Sequence, residues 1–399
     1  MNQAIQQLHS YPFEKLNQLL SGLQPPAGKS ALNLSIGEPK HPTPEFILET
    51  LKNNLNLAAN YPKTKGNIEL RTAIAEWLTA RFSLPAASLD AEKHIIPVNG
   101  TREALFALAQ CIIDTKSHSP FVITSNPFYQ IYEGASLLAG AMPYYVNCNA
   151  ENQFQTDYSS VPEHIWQSCQ LLYICTPNNP TGSVAELETF ELLLELADKH
   201  DFVIASDECY SEIYLDEERP PTGLLEAASS LGRDDFKRCL VFHSLSKRSN
   251  VPGMRSGFVA GDADLIENFF KYRTYQGCAM APYTQQASIA AWEDEKHVQE
   301  NRRLYREKFD RVIEILQPVV NVSLPLATFY LWLQTPQSDV EFARGLYQQQ
   351  NVTVLPGSFL SRTVNGINPG EKRVRIALVA SLAECEKAAS RIVTHINEL

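Results

Sequence analysis

Short apolar runs alternate with amphipathic helical patterns between residues 94 and 260, and this alternation constrains the fold more than any other feature of the chain. Several runs are continuously apolar, as is typical of strands that are buried on both faces of a parallel sheet. A helical pattern is clear at residues 187–197, where apolar side chains recur every three or four positions. Strands alternating with helices predict an open, mainly parallel α/β sheet. The apolar runs lie near residues 94–98, 121–124, 142–147, 171–175, 202–206, 239–243 and 257–260.

The pattern changes after about residue 284. A long helical stretch there should end at Pro318, and a last helix is expected near residues 382–396. Strand-like runs follow the long helix near residues 320–324, 328–334, 352–355 and 373–379. We therefore expect a large α/β domain at residues 45–284, a small α+β domain made of residues 12–44 and 285–399, and an N-terminal arm at residues 1–11.

Composition and charge argue against several classes of protein. The 34 basic and 45 acidic residues give a net charge of −11, which is unsuited to binding nucleic acid. No run of 18 uncharged apolar residues predicts a membrane span, and residues 1–7 are too polar for a signal peptide. The 8 cysteines include no CxxC pair, so we expect neither a metal site nor a disulfide framework. Free cysteines predict a reducing, cytoplasmic location.

Two reactive side chains follow predicted strands directly. Lys247 is the last residue of the segment Ser-Leu-Ser-Lys at 244–247, which follows an apolar run. A lysine just past the end of a buried strand can be desolvated, which lowers its pKa and makes it nucleophilic. A solvated loop lysine is the alternative. Asp207 follows the apolar residues 202–205 and would face the crevice where open α/β sheets bind ligands. Its alternative role is to cap a helix.

Two turn-forming segments also follow predicted strands. Residues 178–182, Asn-Asn-Pro-Thr-Gly, could be an ordinary turn or part of a site. Gly100 precedes a helix expected to begin near Thr101, where backbone N–H groups and the helix dipole could hold a phosphate. Any strand-to-helix loop can look similar.

Taken together and in this order, these segments resemble the pyridoxal-phosphate (PLP) enzymes of fold type I, specifically the class I/II aminotransferases. The resemblance extends from about residue 30 to the end of the chain. It implies PLP as cofactor and a mainly parallel seven-stranded sheet flanked by helices, with a smaller α+β domain. The matching elements are Asn-Gly-Thr (99–101), Asn-Pro-Thr-Gly (179–182), Asp-x-x-Tyr (207–210), Ser-x-Ser-Lys (244–247), Gly-x-Arg-x-Gly (253–257) and Val-Arg-Ile (374–376).

The resemblance implies a cofactor role for each matching residue. Lys247 would tether PLP covalently and later move the proton at the substrate Cα. Asp207 would keep the pyridine nitrogen protonated, and Asn179 and Tyr210 would hydrogen-bond the phenolic oxygen. Tyr129 would stack on the ring, although this tyrosine could instead be a core residue. The phosphate would be held by Gly100, Thr101, Arg102, Ser244, Ser246 and Arg255.

Substrate and subunit contacts are implied in the same way. Arg375 would bind the substrate α-carboxylate with its two-pronged guanidinium, and Arg373, on the same strand face, is the alternative. Gly37 would offer its backbone N–H to the substrate, beside Asn179. Tyr61 would reach the phosphate of a neighbouring subunit, which implies a homodimer with shared active sites.

Within the family, the chain is similar to the succinyldiaminopimelate aminotransferases of proteobacteria. The segments that carry this similarity are residues 35–44, 244–258, 356–362 and 374–379. The implied reaction is a ping-pong transfer between N-succinyl-LL-2,6-diaminoheptanedioate and 2-oxoglutarate in lysine and diaminopimelate biosynthesis. The candidate cations for the distal carboxylates are Lys40, Lys63, Lys65, Arg248, Arg273 and Arg362.

Three alternatives share the same cofactor residues. The chain could be an aminotransferase for aspartate, alanine or aromatic amino acids, or a PLP-dependent carbon–sulfur β-lyase. A PLP-sensing transcription regulator would need an added DNA-binding segment, for which residues 1–30 are too short and not basic.

Overall fold

The computed structural model describes residues 2–117 and 119–399, and its helices and strands lie within these two ranges. The helices are α1 Pro12–Leu20, α2 Glu45–Asn53, α3 Ile68–Arg81, α4 Thr101–Ile112, α5 Gln130–Ala139, α6 Glu163–Trp166, α7 Leu187–His200, α8 Leu224–Ser230, α9 Leu245–Arg248, α10 Ala263–Gln276, α11 Pro282–Glu293, α12 Lys296–Leu316, α13 Asp339–Gln350 and α14 Leu382–Asn397. The strands are β1 Leu32–Asn33, β2 Ile95–Val98, β3 Phe121–Asn126, β4 Met142–Asn147, β5 Cys169–Cys175, β6 Val203–Asp207, β7 Cys239–Ser244, β8 Gly257–Gly261, β9 Tyr330–Gln334, β10 Val352–Thr353, β11 Leu355–Pro356 and β12 Arg373–Ala377.

The main sheet has seven strands in the order β2-β8-β7-β6-β5-β3-β4. The neighbours from β7 through β6, β5 and β3 to β4 run parallel, whereas β8 is antiparallel to both β2 and β7. Each of the seven apolar runs forms one of these strands. The predicted mainly parallel seven-stranded sheet is therefore confirmed.

Helices cover both faces of this sheet, which explains why its strands are continuously apolar. Ile204 faces one buried cluster together with Trp77 of α3. Its neighbours Val203 and Ala205 face the opposite cluster together with Leu108 of α4. Because successive side chains of a strand point to opposite faces, both sets must be apolar when both faces are covered.

Two smaller sheets complete the fold. Strand β12 pairs antiparallel with both β11 and β9, and β1 pairs parallel with β10. Leu32 of β1 lies in one buried cluster with Phe309 of α12, Ile376 of β12 and Ile392 of α14. The N-terminal strand is thereby packed against the C-terminal part of the chain. No helix of the described residues has the length and apolar character needed to cross a membrane.

Two strand predictions in the C-terminal part are wrong in detail. Residues 320–324 form no strand, and none of the described strands pairs with them. The run also lacks a buried face, since Val320 and Val322 are only partly buried and Leu324 is exposed. The run 352–355 divides between β10 and β11, which pair with different partners.

The topology brings several chain segments to one edge of the main sheet. Strand β6 ends at Asp207 and β7 ends at Ser244, both at the carboxyl edge of the parallel strands. Helix α4 begins at Thr101, directly after β2. Ligands of open α/β sheets bind in the crevice at this edge.

Candidate active site

A cleft of about 630 Å³ opens at the carboxyl edge of the main sheet and is closed on its other side by residues of the small sheets and the N-terminal segment. Its volume lies within the ordinary range for small-molecule sites. The predicted residues that line it are Gly37, Thr101, Arg102, Tyr129, Asn179, Asp207, Tyr210, Ser244, Ser246, Lys247, Arg255 and Arg375. Residues separated by more than 300 positions in sequence therefore meet in one place.

Lys247 lies in α9, a single turn that follows β7. The Ser244 hydroxyl accepts a hydrogen bond from Ser246 N at 3.1 Å and so caps the turn. Lys247 Nζ donates to the carbonyl oxygen of Gly37 at 2.7 Å. Burial lowers the pKa of the Lys247 ammonium to about 8. About a tenth of this amine is then neutral and nucleophilic at pH 7, far more than for a lysine of ordinary pKa.

Asp207 is a buried carboxylate at the floor of the cleft. Its Oδ2 accepts from Tyr132 Oη at 2.6 Å, and its Oδ1 accepts from Cys209 N at 3.3 Å. No helix begins after it, so the alternative of a helix cap is wrong. Burial raises the pKa of this carboxyl group, and none of the ion pairs among the described residues includes it. A protonated ring nitrogen in the cleft would supply the missing cation.

The start of α4 and the turn before β8 form a cradle suited to phosphate. Gly100 has φ +86°, and a Cβ atom there would collide with the Arg255 guanidinium, so the backbone and the cation lie in direct contact. The N-terminus of α4 and the hydroxyls of Ser244 and Ser246 open on the same cleft. Backbone N–H groups, hydroxyls and a guanidinium are the donors that bind phosphate in proteins.

Arg102 contacts two tyrosines at the cleft, and its predicted role at the phosphate stays a prediction. Its Nε donates to Tyr129 Oη at 2.6 Å, and its Nη2 donates to Tyr11 Oη at 3.2 Å. The guanidinium therefore holds two phenols at the edge of the cleft, where Tyr11 was not predicted. Tyr129 lines the cleft, whereas Phe128 is fully buried and stacks on Tyr145. Of the two aromatics, Tyr129 is the one placed to meet a ring in the cleft.

Arg375 reaches the cleft from β12. Its Nη1 donates to Asn179 Oδ1 at 2.9 Å, and its Nη2 donates to Ser35 O at 2.7 Å. Its Nε has no hydrogen-bond partner among the described residues, and its guanidinium lies 4.4 Å from the Tyr330 ring centroid. Arg373 instead lies over the ring of Phe154 and outside the cleft lining. Of the two arginines, only Arg375 is available to a carboxylate in the cleft.

Gly37 contributes a carbonyl oxygen to the contacts of the cleft, and the predicted contact of its N–H with a substrate stays a prediction. That oxygen accepts from Lys247, and a Cβ atom on Gly37 would collide with the Tyr330 hydroxyl. Tyr330 in turn hydrogen-bonds Tyr210 between their hydroxyls at 3.0 Å. Sequence reasoning missed Tyr330, because the sequence shows it only as one aromatic residue in a strand-like run, here β9 of the three-stranded sheet.

Tyr61 lies outside the cleft of its own chain and is fully exposed. Its contact with the phosphate of a neighbouring subunit stays a prediction.

Four of the six cations considered for distal carboxylates have carboxylate partners within the chain, and none of the six lines the cleft, so a role as substrate ligand stays a prediction. Arg248 and Arg273 are buried. The pairs are Lys65–Glu92, Arg248–Glu295, Arg273–Glu103 and Arg362–Glu133.

Comparisons with known proteins agree with this geometry. The family described as aminotransferase class I and II matches residues 29–392. The LL-diaminopimelate aminotransferase of Maridesulfovibrio salexigens is 31% identical over 393 residues, which cover 96% of each chain. The crystal structure of an aminotransferase from Neisseria meningitidis is 51% identical, covers 99% of both chains and has a TM-score of 0.94. The aminotransferase AspB of Helicobacter pylori is 37% identical over 98% of this chain and all of that one, with a TM-score of 0.90.

Proposed function

This chain belongs to the PLP-dependent class I and II aminotransferases, and on that premise we propose that it moves an amino group between N-succinyl-LL-2,6-diaminoheptanedioate and 2-oxoglutarate. The observation that carries the transamination is the meeting of Lys247, Asp207 and Arg375 in one cleft. A nucleophilic amine, an unpaired buried carboxylate and a carboxylate-binding guanidinium are what PLP and an amino acid require.

PLP, when bound, withdraws electrons from the substrate Cα and so eases the loss of its proton. The Asp207 carboxylate would hold a proton on the ring nitrogen, oriented by Tyr132. Lys247 would first bind the cofactor covalently and then, once the amino donor has displaced it, carry the Cα proton as a general base and acid. Arg375 would fix the α-carboxylate and thereby aim the Cα–H bond at Lys247.

The candidate amino donors differ in their distal end, the end far from the reacting amine. In the succinylated donor this end carries two carboxylates and no ammonium group, so it is strongly anionic. Arg102 is a cation at the cleft edge whose described partners are the neutral phenols of Tyr129 and Tyr11. We assign its backbone to the phosphate cradle and its guanidinium to the distal carboxylates, since a desolvated charge needs an opposite partner.

LL-diaminopimelate itself is the second candidate. It is favoured by the names of relatives 31% identical to this chain. Its distal end bears an ammonium group beside the carboxylate, so it has no excess negative charge to meet Arg102.

A panel of amino donors with 2-oxoglutarate tests both candidates. We expect the succinylated donor to exceed aspartate, alanine and tyrosine in kcat/KM by at least about 100-fold, the worth of two charged hydrogen bonds. Faster turnover of LL-diaminopimelate would select the second candidate, and equal turnover of aspartate would refute both. Pyruvate released from cystathionine without any oxo acid would indicate a β-lyase.

We also propose that the enzyme is a cytoplasmic homodimer with shared active sites. The fully exposed ring of Tyr61 supports this assembly, because the family resemblance gives that residue a role only on the phosphate of a second chain.

A further inference from the structure

A buried chain of polar side chains joins the loop that carries Gly37 to the turn that carries Lys247. At its centre is Asn301 of α12, which is 2% exposed. Asn301 Nδ2 lies 3.2 Å from the carbonyl oxygen of Lys247, and Asn301 Oδ1 lies 3.1 Å from Asn250 Nδ2. These contacts fix the orientation of the amide, because its nitrogen must donate and its oxygen must accept.

The next member of the chain is His41, whose Nδ1 lies 2.7 Å from Asn301 Oδ1. Since that oxygen can only accept, the proton of the imidazole must sit on Nδ1. His41 Nε2 is then an acceptor, and Lys308 Nζ donates to it at 2.6 Å. His41 is therefore neutral, because a second proton would set two cations side by side. Burial lowers the pKa of His41 to about 4 and that of Lys308 to about 8.

The loop from Ser35 to Thr43, which we call the strap, is held at both ends. At its start, Leu34 O accepts from Ala377 N at 2.8 Å, two residues beyond Arg375 on β12. At its end, Thr43 Oγ1 donates to Asn250 O at 2.8 Å, three residues beyond Lys247. Between these anchors, the strap contacts Arg375 through Ser35 O and Lys247 through Gly37 O. It thus spans the distance between the two groups that hold the substrate and move its proton.

We propose that His41 and Asn301 are positioning residues that hold the strap against the lysine turn and so set the geometry between Lys247 and Arg375. His41 is not among the residues that line the cleft, and it acts through Asn301 on the backbone of Lys247 and through the strap on the carbonyl of Gly37. A small displacement of the strap would misplace the amine relative to the bound carboxylate, and such misplacements are costly in catalysis. The inference depends on transamination but not on the identity of the amino donor.

A purely structural role for His41 is the competing explanation. Its ring packs on Tyr305 with centroids 4.5 Å apart, so its removal could simply loosen the core. His41→Phe keeps an aromatic ring there while removing both hydrogen bonds. His41→Asn keeps a donor close to the position of Nδ1. His395→Phe is the matched control. His395 is another buried imidazole that packs on an aromatic ring, Phe342, and hydrogen-bonds a side-chain amide, that of Gln349. It has no contact with the strap in these interactions.

Two readouts need no substrate and therefore do not depend on the proposed function. One is the pH titration of the absorbance of lysine-bound PLP in the holoenzyme, and the other is backbone hydrogen exchange of residues 35–43 in the full chain without PLP. In His41→Phe we expect the spectral pKa to move by about half a unit or more. We expect strap amides to exchange about tenfold faster, as the loss of one hydrogen bond implies.

Kinetics complete the test. In His41→Phe, kcat should fall about tenfold with both the amino donor and the oxo acid, with a smaller change in KM, and His41→Asn should restore part of the loss. A folded His41→Phe protein with wild-type titration and exchange would overturn the proposal, as would equal changes in His395→Phe. If His41→Phe does not fold, Asn301→Leu decides the question, since it removes the hydrogen bonds to His41 and to the backbone of Lys247. It must then change the spectral titration and the exchange of the same amides, and wild-type values of both would overturn the proposal.

Discussion

Lys247 and Gly37, 210 residues apart in sequence, are joined by a 2.7 Å hydrogen bond from the amine to the carbonyl oxygen. The bond places the backbone of Gly37 in direct contact with the reactive amine. Because Gly37 lies on the strap, the position of the strap and the availability of the amine are coupled.

Replacing Lys247 with alanine should remove both the covalent link and the proton carrier. The protein should still bind PLP, because the phosphate cradle is separate from the lysine. Turnover should fall to below about 1% of the wild-type rate, as expected when a group that serves as nucleophile and general base is lost. Borohydride reduction of the wild-type holoenzyme, followed by peptide mapping, should place the cofactor on Lys247. A cofactor mass on any other lysine would contradict the assignment.

Asp207→Ala should leave PLP bound but slow the exchange of the substrate Cα hydrogen with solvent by orders of magnitude, because the ring nitrogen loses its proton. Tyr132→Phe is a graded control. It removes the hydrogen bond from Tyr132 Oη but keeps the carboxylate, so about a tenfold effect is expected. Proton exchange measured by NMR in the presence of substrate reports this step alone. If Asp207→Ala exchanges the substrate Cα hydrogen at the wild-type rate, Asp207 has no role in the chemistry.

Tyr61→Phe tests the shared site. The variant should release PLP about tenfold more readily, as for the loss of one hydrogen bond to a charged group. Mixed with Lys247→Ala, it should form hybrid dimers in which one site has both Tyr61 and Lys247 intact. Regain of activity on mixing, measured against each variant alone, supports subunit sharing. A monomer in sedimentation at micromolar concentration rules it out.

Much of the site could be predicted because its residues follow strands directly. Asp207 and Ser244 end β6 and β7, and Thr101 begins α4, so the topology of a parallel sheet alone brings them to one edge. The strands themselves could be predicted from the sequence because a strand that is buried on both faces needs an unbroken apolar run.

The remainder depends on contacts that no local pattern specifies. Tyr132 of α5 reaches Asp207 only because its ring stacks on Tyr173 of β5, the strand next to β6. Tyr330 of β9 meets Tyr210 across the cleft. Arg102 was assigned from its place after Gly100 and Thr101, but the direction of a long side chain is set by its neighbours, in this case two tyrosines. The buried ion pairs of Arg248 and Arg273 were likewise invisible in the sequence.

The lowered pKa of His41 has a consequence for stability. The pKa of His41 is about 4 in the folded protein and 6.5 in an unfolded chain. At pH values between these two, the unfolded chain binds a proton at His41 that the folded chain does not. The contribution of this residue to the free energy of unfolding is therefore lost as pH falls through that window. His41→Phe lacks this dependence. Its free energy of unfolding, measured with urea, should therefore fall less than that of the wild type between pH 7 and about 4.5. Parallel pH profiles would show that His41 titrates normally.

Arg102→Gln tests the assignment of the distal end. Glutamine keeps a hydrogen-bond donor for Tyr129 but removes the positive charge. The kcat/KM of the succinylated donor and of 2-oxoglutarate should each fall about tenfold or more, the worth of a charged contact, because both carry a distal carboxylate. Alanine and pyruvate have no such group and should be affected little. Tyr11→Phe is the control, since it removes only a neutral partner of Arg102. An equal loss for all four substrates, together with weaker PLP binding, would place the guanidinium on the phosphate and remove it from the distal site.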